Sequence, residues 1–289
     1  MTAPTPEATP RETPTGTPVA VNVKSRVAVV KLGGSLMGSD ALDALLGQVV
    51  ACPVPVVIVP GGGLFADAVR AAQARLGFSD GLAHRLALDA MGAFAEVLAE
   101  RLGGAPIHAE AAVAAAAARS SRPVLWTPSN WRAGVPGIPE SWALTSDSAA
   151  LIVARAIGAA TLVLVKSAEP AADDDPTRLR PDILDAAFPD FLAAEALPDA
   201  AGKAEPQTAP GLAAPQMDRA GRAPIVRLVG PRDWPRLAEA LAEPETSLGR
   251  RVTPADFAPP TRDDRVQPRD ARDEDATPAG RTGNPDMTR

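Results

Sequence analysis

Two short apolar runs, each ending on glycine, constrain this chain more than any other feature. Val27-Ala28-Val29-Val30-Lys31-Leu32-Gly33-Gly34-Ser35 is the first, and Val56-Val57-Ile58-Val59-Pro60-Gly61-Gly62-Gly63 is the second. Neither alternates apolar with polar residues. Each therefore reads as a strand buried on both faces, the pattern of a parallel sheet covered by helices. Further strands are expected at 123–126, 161–165 and 225–229. Between them runs helical spacing: residues 40–50 carry Leu42, Leu45, Leu46 and Val49 behind Ser39 or Asp40 as N-cap. Residues 64–76 place Phe65, Ala68, Val69 and Ala72 on one face, and 82–102 carry Leu86, Ala90, Phe94, Val97 and Leu98. Residues 109–118 and 231–241 also read as helices, and Thr145-Ser146-Asp147-Ser148 caps another at 149–157, with Gly158 just past its end. The expected fold class is α/β, a three-layer αβα sandwich around a central, mostly parallel sheet. Residues 168–221 are rich in Pro and Asp and carry no assignable pattern, and no internal repeat is present.

At 289 residues the chain could form one large α/β domain or two small ones. Its ends narrow this. Residues 1–24 and 254–289 are dominated by Pro, Thr, Asp, Arg and Glu without apolar periodicity, so both read as disordered tails around a folded unit at 25–253. The net charge of −6 argues against nucleic acid or an anionic membrane as the main partner. No apolar run reaches ~18 residues, and the N-terminus has no apolar signal core, so neither a membrane span nor a signal peptide is expected. Cys52 is the single cysteine, which excludes an internal disulfide and fits a reducing, cytoplasmic setting.

In open α/β sheets ligands bind beyond the carboxyl ends of the strands. Those ends carry Lys31-Leu32-Gly33-Gly34-Ser35, Pro60-Gly61-Gly62-Gly63 and Lys166-Ser167. The spacing is neither a Walker A loop nor a dinucleotide fingerprint. Either glycine loop alone could be a tight turn. Two of them after consecutive buried strands, one with a lysine at its mouth, favour phosphate chemistry, because glycine loops expose backbone N–H groups to anions. Lysine is scarce, at Lys24, Lys31, Lys166 and Lys203 only, so one kept at a strand end is informative. Asp147 reads first as part of an N-cap cluster, and beside that as a carboxylate placed to orient a lysine ammonium.

Lys31-Leu-Gly-Gly-Ser, Val59-Pro-Gly-Gly-Gly and Thr145-Ser-Asp-Ser, in this order, resemble the amino acid kinase superfamily. Pro60-Gly-Gly-Gly-Leu-Phe-Ala-Asp67-Ala-Val-Arg70, then Gly81-Leu-Ala-His84-Arg-Leu-Ala-Leu-Asp-Ala-Met91, Ser141-Trp142-Ala-Leu-Thr-Ser-Asp147 and Asp185-Ala-Ala-Phe188-Pro189, are similar to its methanofuran-pathway branch. That branch phosphorylates [5-(aminomethyl)furan-3-yl]methyl phosphate. The resemblance implies the amino acid kinase fold, ATP as donor, and Mg²⁺ held chiefly by the nucleotide phosphates rather than by a protein metal site. Lys31 would contact the transferring phosphoryl group, and Asp147 would organise the lysines around it. Gly33, Gly34 and Ser35 would cradle the ATP phosphates, with Lys166 and Ser167 at the nucleotide. Gly61, Gly62 and Gly63 would hold the phosphate of a small-molecule acceptor, with Asp67, His84 and Ser146 on the substrate side.

His84 reads first as a packed or surface imidazole and Trp142 first as core; both are also placed to touch the acceptor. Asp67 could face an acceptor amine or sit on an exposed helical turn. A homo-oligomer is implied as well. Two departures stand out. Where the family has Thr-Asp-Val-Asp-Gly, this chain has Lys166-Ser-Ala-Glu-Pro170, and the second lysine expected downstream has only Lys203 as candidate. A kinase for a nucleoside monophosphate or an amino acid, or a non-catalytic binding homologue, are the alternative readings.

Overall fold

The computed structural model describes residues 27–257 apart from 106, 174, 176 and 195–222. Seven strands form one sheet: β1 (Ala28–Leu32), β2 (Val56–Pro60), β3 (Ile107–His108), β4 (Val124–Trp126), β5 (Thr161–Val165), β6 (Ile225–Val229) and β7 (Arg250–Val252). Their spatial order is β3-β4-β2-β1-β5-β6-β7, with all pairs parallel except β6–β7. The chain builds outward from β1 through β2 to β4, then returns to place β5 on β1's other side. This reversal opens a crevice at the carboxyl end of β1, the usual ligand position in such sheets.

Among the described residues seven helices cover the sheet: α1 (Ala41–Val50), α2 (Gly63–Leu76), α3 (Asp80–Arg101), α4 (Glu110–Arg119), α5 (Ser146–Ala156), α6 (Phe188–Ala193) and α7 (Leu237–Ala242). Alternation along β1 divides the core. Val27 and Val29 pack with α4, α5 and α6 on one face, while Ala28, Val30 and Leu32 pack with α1, α7 and the second half of α3 on the other. Both faces are covered, so the three-layer α/β architecture stands as expected. From Asp147 to Ala154 every residue of α5 is buried, marking it as the central helix of its layer.

Several elements differ from expectation, each for a local reason. The helix expected at 231–241 begins only at Leu237, after a 3-10 turn at Trp234–Arg236, because Pro235 lacks an N–H and restricts the residue before it. β3 and β7 were not legible: one is two residues long, the other reads Arg-Arg-Val and exists by pairing to β6's edge. In the unassigned 168–221 stretch, α6 forms around Phe188 and Phe191, both buried against α5. Of the α2 face expected to pack, Phe65 and Ala68 are exposed and Val69 and Ala72 only half-buried, while Gly63 and Ala66 are the buried residues. α2 lies against α3 and the turn after β1 rather than on the sheet, so its small residues face inward. The stretch expected as a C-terminal tail begins with a 3-10 turn, Pro254–Phe257, whose Phe257 packs on the α5–α6 cluster. The remainder of both expected tails lies outside the described residues. Among those described, no helix is long and apolar enough to cross a membrane.

Candidate active site

Strand parity brings the two lysines together. Lys31 follows Val27 and Val29 on the α5 face, and Lys166 follows Leu162 and Leu164 on that same face. The parallel register Leu32↔Val165 leaves Lys166 level with Gly33, one residue past the ladder. The N-terminal turn of α5 delivers Asp147 between them. Lys31 Nζ lies 2.9 Å from Asp147 Oδ1, and Lys166 Nζ donates to Oδ2 at 2.6 Å. All three side chains are nearly sealed, at 8%, 7% and 11% exposure for Lys31, Asp147 and Lys166.

Burial alone would raise the Asp147 carboxyl, but the two ammonium groups outweigh it and hold the group below the usual carboxylate range. Burial and then the neighbouring Lys31 pull Lys166 down to about 8, against the opposing pull of Asp147. Two cations on one buried anion leave a surplus of positive charge at the crevice. Such a cluster is matched by an anion that brings more than one negative charge.

Above this cluster the two glycine loops touch backbone to backbone. A methyl group on Gly34 would sit 2.3 Å from the Gly63 nitrogen, and one on Gly61 would sit 2.6 Å from the Gly34 nitrogen. Gly63 also takes a left-handed φ of +54°. The glycines are thus required by the mutual approach of the loops. Gly33, Gly34, Ser35, Gly62 and Gly63 line a cleft of about 410 Å³, within the range of small-molecule sites. Gly61 does not. Its N–H donates to the Leu32 carbonyl at 2.8 Å, so the expectation that it grips an acceptor phosphate is corrected: it joins β2 to β1.

The cleft runs between two walls. On the α2–α3 side stand Asp67, Arg70, His84, Leu88, Met91 and Trp142, and on the β5 side Lys166, Ser167, Asp182 and Ile183, with Thr145 and Ser146 between them. His84 is buried, which lowers its pKa despite a counteracting hydrogen bond. Its Nδ1 lies 3.3 Å from the Ser141 carbonyl, and a carbonyl only accepts, so Nδ1 carries the proton and Nε2 is left as an acceptor. Trp142 is not core: it is half-buried on the cleft wall, its Nε1 donating to Gln73 Oε1 at 2.7 Å. The Arg70 guanidinium stands 4.3 Å over its ring and pairs with Asp67 at 2.9 Å.

Sequence reasoning placed all but one of its thirteen site residues at the cleft or directly beneath it, yet missed three things. Arg70 lay unnoticed within its own quoted motif, although it is one turn beyond Asp67 and so shares its face. The second lysine was sought at Lys203, which lies outside the described residues, whereas Lys166 already completes the pair on Asp147. Asp185 accepts hydrogen bonds from Thr145 and Ser148 around Asp147; it stands in the Asp185-Ala-Ala-Phe188-Pro189 motif, but nothing in the spacing tied that motif to the start of α5. The loop after β5 is fastened to the end of β6: Glu169 accepts from the Arg232 N–H at 2.9 Å, and Trp234 Nε1 donates to the Lys166 carbonyl at 3.2 Å. Among the described residues no group of three or more His, Cys, Asp or Glu could hold a metal ion.

The chain belongs to the amino acid kinase family, whose model matches residues 26–182. Among characterised proteins it is similar to the [5-(aminomethyl)furan-3-yl]methyl phosphate kinase of Methanocaldococcus jannaschii, with 30% identity over 138 residues, 47% of this chain and 63% of that one. The match thus spans less than two thirds of that relative. Among solved structures it is similar to the UMP kinase of Bacillus anthracis, with 13% identity, 53% and 69% of the two chains covered and a TM-score of 0.41. It is also similar to the uridylate kinase of Archaeoglobus fulgidus, with 19% identity, 52% and 68% covered and a TM-score of 0.39.

Proposed function

We propose that this protein is a small-molecule kinase that transfers the γ-phosphoryl group of ATP to a phosphate-bearing acceptor. The favoured acceptor is [5-(aminomethyl)furan-3-yl]methyl phosphate, on the way to a methanofuran-type one-carbon cofactor. The observation that carries the reading is Asp147 held between Lys31 and Lys166 under two abutting glycine loops. Phosphoryl transfer spreads negative charge over the oxygens of the moving group and asks the protein for positioning and neutralisation more than for covalent chemistry. Lys31 and Lys166 supply the neutralisation, and Asp147 keeps both ammonium groups aimed at one point. Gly33, Gly34 and Ser35 take the donor phosphates, with Ser167 beside them. Gly62 and Gly63, at the N-terminus of α2, take the acceptor's phosphate. An acceptor phosphate is already nucleophilic, so no general base is required. Mg²⁺ carried by the nucleotide would add further neutralisation.

The α2–α3 wall fits the rest of such an acceptor. Nε2 of His84 and the Asp67 carboxylate accept hydrogen bonds from an ammonium, Arg70 donates to an anion, and Trp142 offers a flat face to a small ring. The proposal includes a homo-oligomer in a reducing cytoplasm. Leu64, Phe65 and Leu76 expose apolar surface on α2, and Cys52 is unpaired.

The test is turnover. Purified protein with Mg-ATP converts the furan monophosphate to a diphosphate, followed by phosphorus NMR, and Lys31→Ala slows the conversion ~10²–10³-fold while the circular dichroism stays native. Conversion of UMP or an amino acid instead would reassign the acceptor. Absence of turnover with all three, together with no thermal shift on Mg-ATP, would sink the kinase reading.

A further inference from the structure

We propose that Asp185 is a positioning residue: its carboxylate seats the first turn of α5, and with it Asp147, between the two lysines. The proposal rests on the reading that the Asp147 cluster is the reacting centre. A helix N-cap ordinarily accepts a hydrogen bond from its own first turn through its own side chain. Thr145, the N-cap of α5, makes no such bond. Its N–H and its hydroxyl both donate to Asp185 Oδ2, each at 2.9 Å, and the Ser148 N–H donates to the same oxygen at 2.9 Å. The Ser148 hydroxyl donates to Oδ1. A single carboxylate, 37 residues further along the chain, thus grips the residues on both sides of Asp147.

The grip is stiff at both ends. Ser148 is fully buried and Asp147 nearly so, within a helix that is buried from Asp147 to Ala154. Asp185 is anchored in turn. The Ala187 N–H donates to the Ala143 carbonyl at 2.9 Å, the Phe188 N–H to the Asp185 carbonyl at 3.1 Å, and Phe188 is sealed in the core. Asp182, at a left-handed φ of 58°, and Ile183 belong to this segment and line the cleft. One short stretch therefore forms a wall of the site and sets the depth of the carboxylate beneath it.

A plain helix cap would need only one acceptor for the first turn, which Thr145 could supply itself. A full carboxylate does more, because its charge reaches the cluster. The charged groups facing Lys166 are Lys31 from β1, Asp147 from α5 and Asp185 from the segment before α6. Asp185 offsets part of the surplus positive charge from outside the Lys31–Asp147–Lys166 cluster, and removing its charge leaves Asp147 alone to hold the two ammonium groups.

The test exploits the four lysines of the chain. In protein labelled with carbon-13 at the lysine ε position, Lys31→Arg and Lys166→Arg assign the two site resonances. The titration of Lys166 is then compared in the wild type and in Asp185→Asn. The expected result is a midpoint below the wild-type value of about 8 in Asp185→Asn. It is accompanied by a kcat lowered ~10–100-fold and an acceptor KM within about twofold, as misplacement at a reacting centre produces. A lower melting temperature with the Lys166 midpoint and kcat both unmoved would overturn the proposal and leave a simple cap. If Asp185→Asn does not fold, Thr145→Val and Ser148→Ala carry the test, since they remove donors and keep the charge. A fall in kcat at constant acceptor KM supports the proposal, and unchanged kcat refutes it. The titration reads the same cluster even if the wild type turns over no acceptor, so failure of the kinase reading and failure of this one are separate results.

Discussion

The cleft holds two groups of opposite charges, and they are built differently. Lys31, Asp147 and Lys166 are almost sealed, whereas Arg70 and Asp67 on the α2 rim expose 50% and 65% of their side chains. In the buried group each charge depends on the others, because desolvation is offset only by the pairing. At the rim, water screens both charges and the pair adds little to stability. The contrast separates two tasks. A sealed cluster can hold a geometry through a reaction, and an exposed pair is free to exchange its partner for a ligand. On the proposed function, the buried charges serve the transfer and the rim charges serve acceptor binding.

Breaking the buried group is expected to have the largest effect. Asp147→Asn leaves two ammonium groups with no anion between them. It should cost roughly 3–5 kcal/mol in chemical denaturation and ~10²–10³-fold in kcat. A variant as stable as the wild type would mean the cluster is solvated. Lys31→Ala sharpens the contrast, since Asp147 keeps Lys166 at 2.6 Å. Activity should fall ~10²–10³-fold with a much smaller loss of stability than Asp147→Asn shows.

The third prediction concerns pH. If Lys166 neutralises the moving phosphoryl group as proposed, it must be charged, and kcat should decline as pH rises through about 8. Stability should move the other way. The folded-state pKa lies below the ordinary 10.5, so between about 8 and 10.5 the unfolded chain binds more protons at this residue. The contribution of Lys166 to folding stability therefore rises with pH across that window. The contribution is isolated by comparing unfolding of the wild type with Lys166→Met over that range; equal pH slopes would reject it. The smallest effect is expected at the rim. Arg70→Ala should leave stability within ~0.5 kcal/mol and raise the acceptor KM about tenfold, near 1.4 kcal/mol. A loss confined to kcat would place Arg70 in the wrong group.

The sealed cluster and the rim were also unequally legible. Lys31 and Asp147 stand in motifs that mark strand ends and helix starts, which placed both at the carboxyl edge of the sheet even though an aspartate there can also serve as a helix cap. Arg70 carries no such mark, being one arginine on a helix whose apolar residues misled the reading of its inner face. Phe65, Ala68, Val69 and Ala72 suggested a packed stripe, but α2 rests on Gly63 and Ala66 with Val69 and Ala72 half-buried, so period alone centred the inner face on the wrong residues.

What the sequence determined by itself was the class of fold and the level in the sheet at which chemistry would sit. Uninterrupted apolar runs force strands buried on both faces, and glycine at their ends forces sharp exits into helices. Strand parity placed Lys31 on one face of β1, a property of local covalent geometry. Only the tertiary structure decided which distant residues share that point. It paired Lys166 with Lys31 through the β1–β5 register, removed Gly61 from the cleft by spending its N–H on Leu32, and brought Asp185 to the start of α5. Each of these depends on how separated segments pack, and the spacing of residues along a chain does not encode which strands become neighbours.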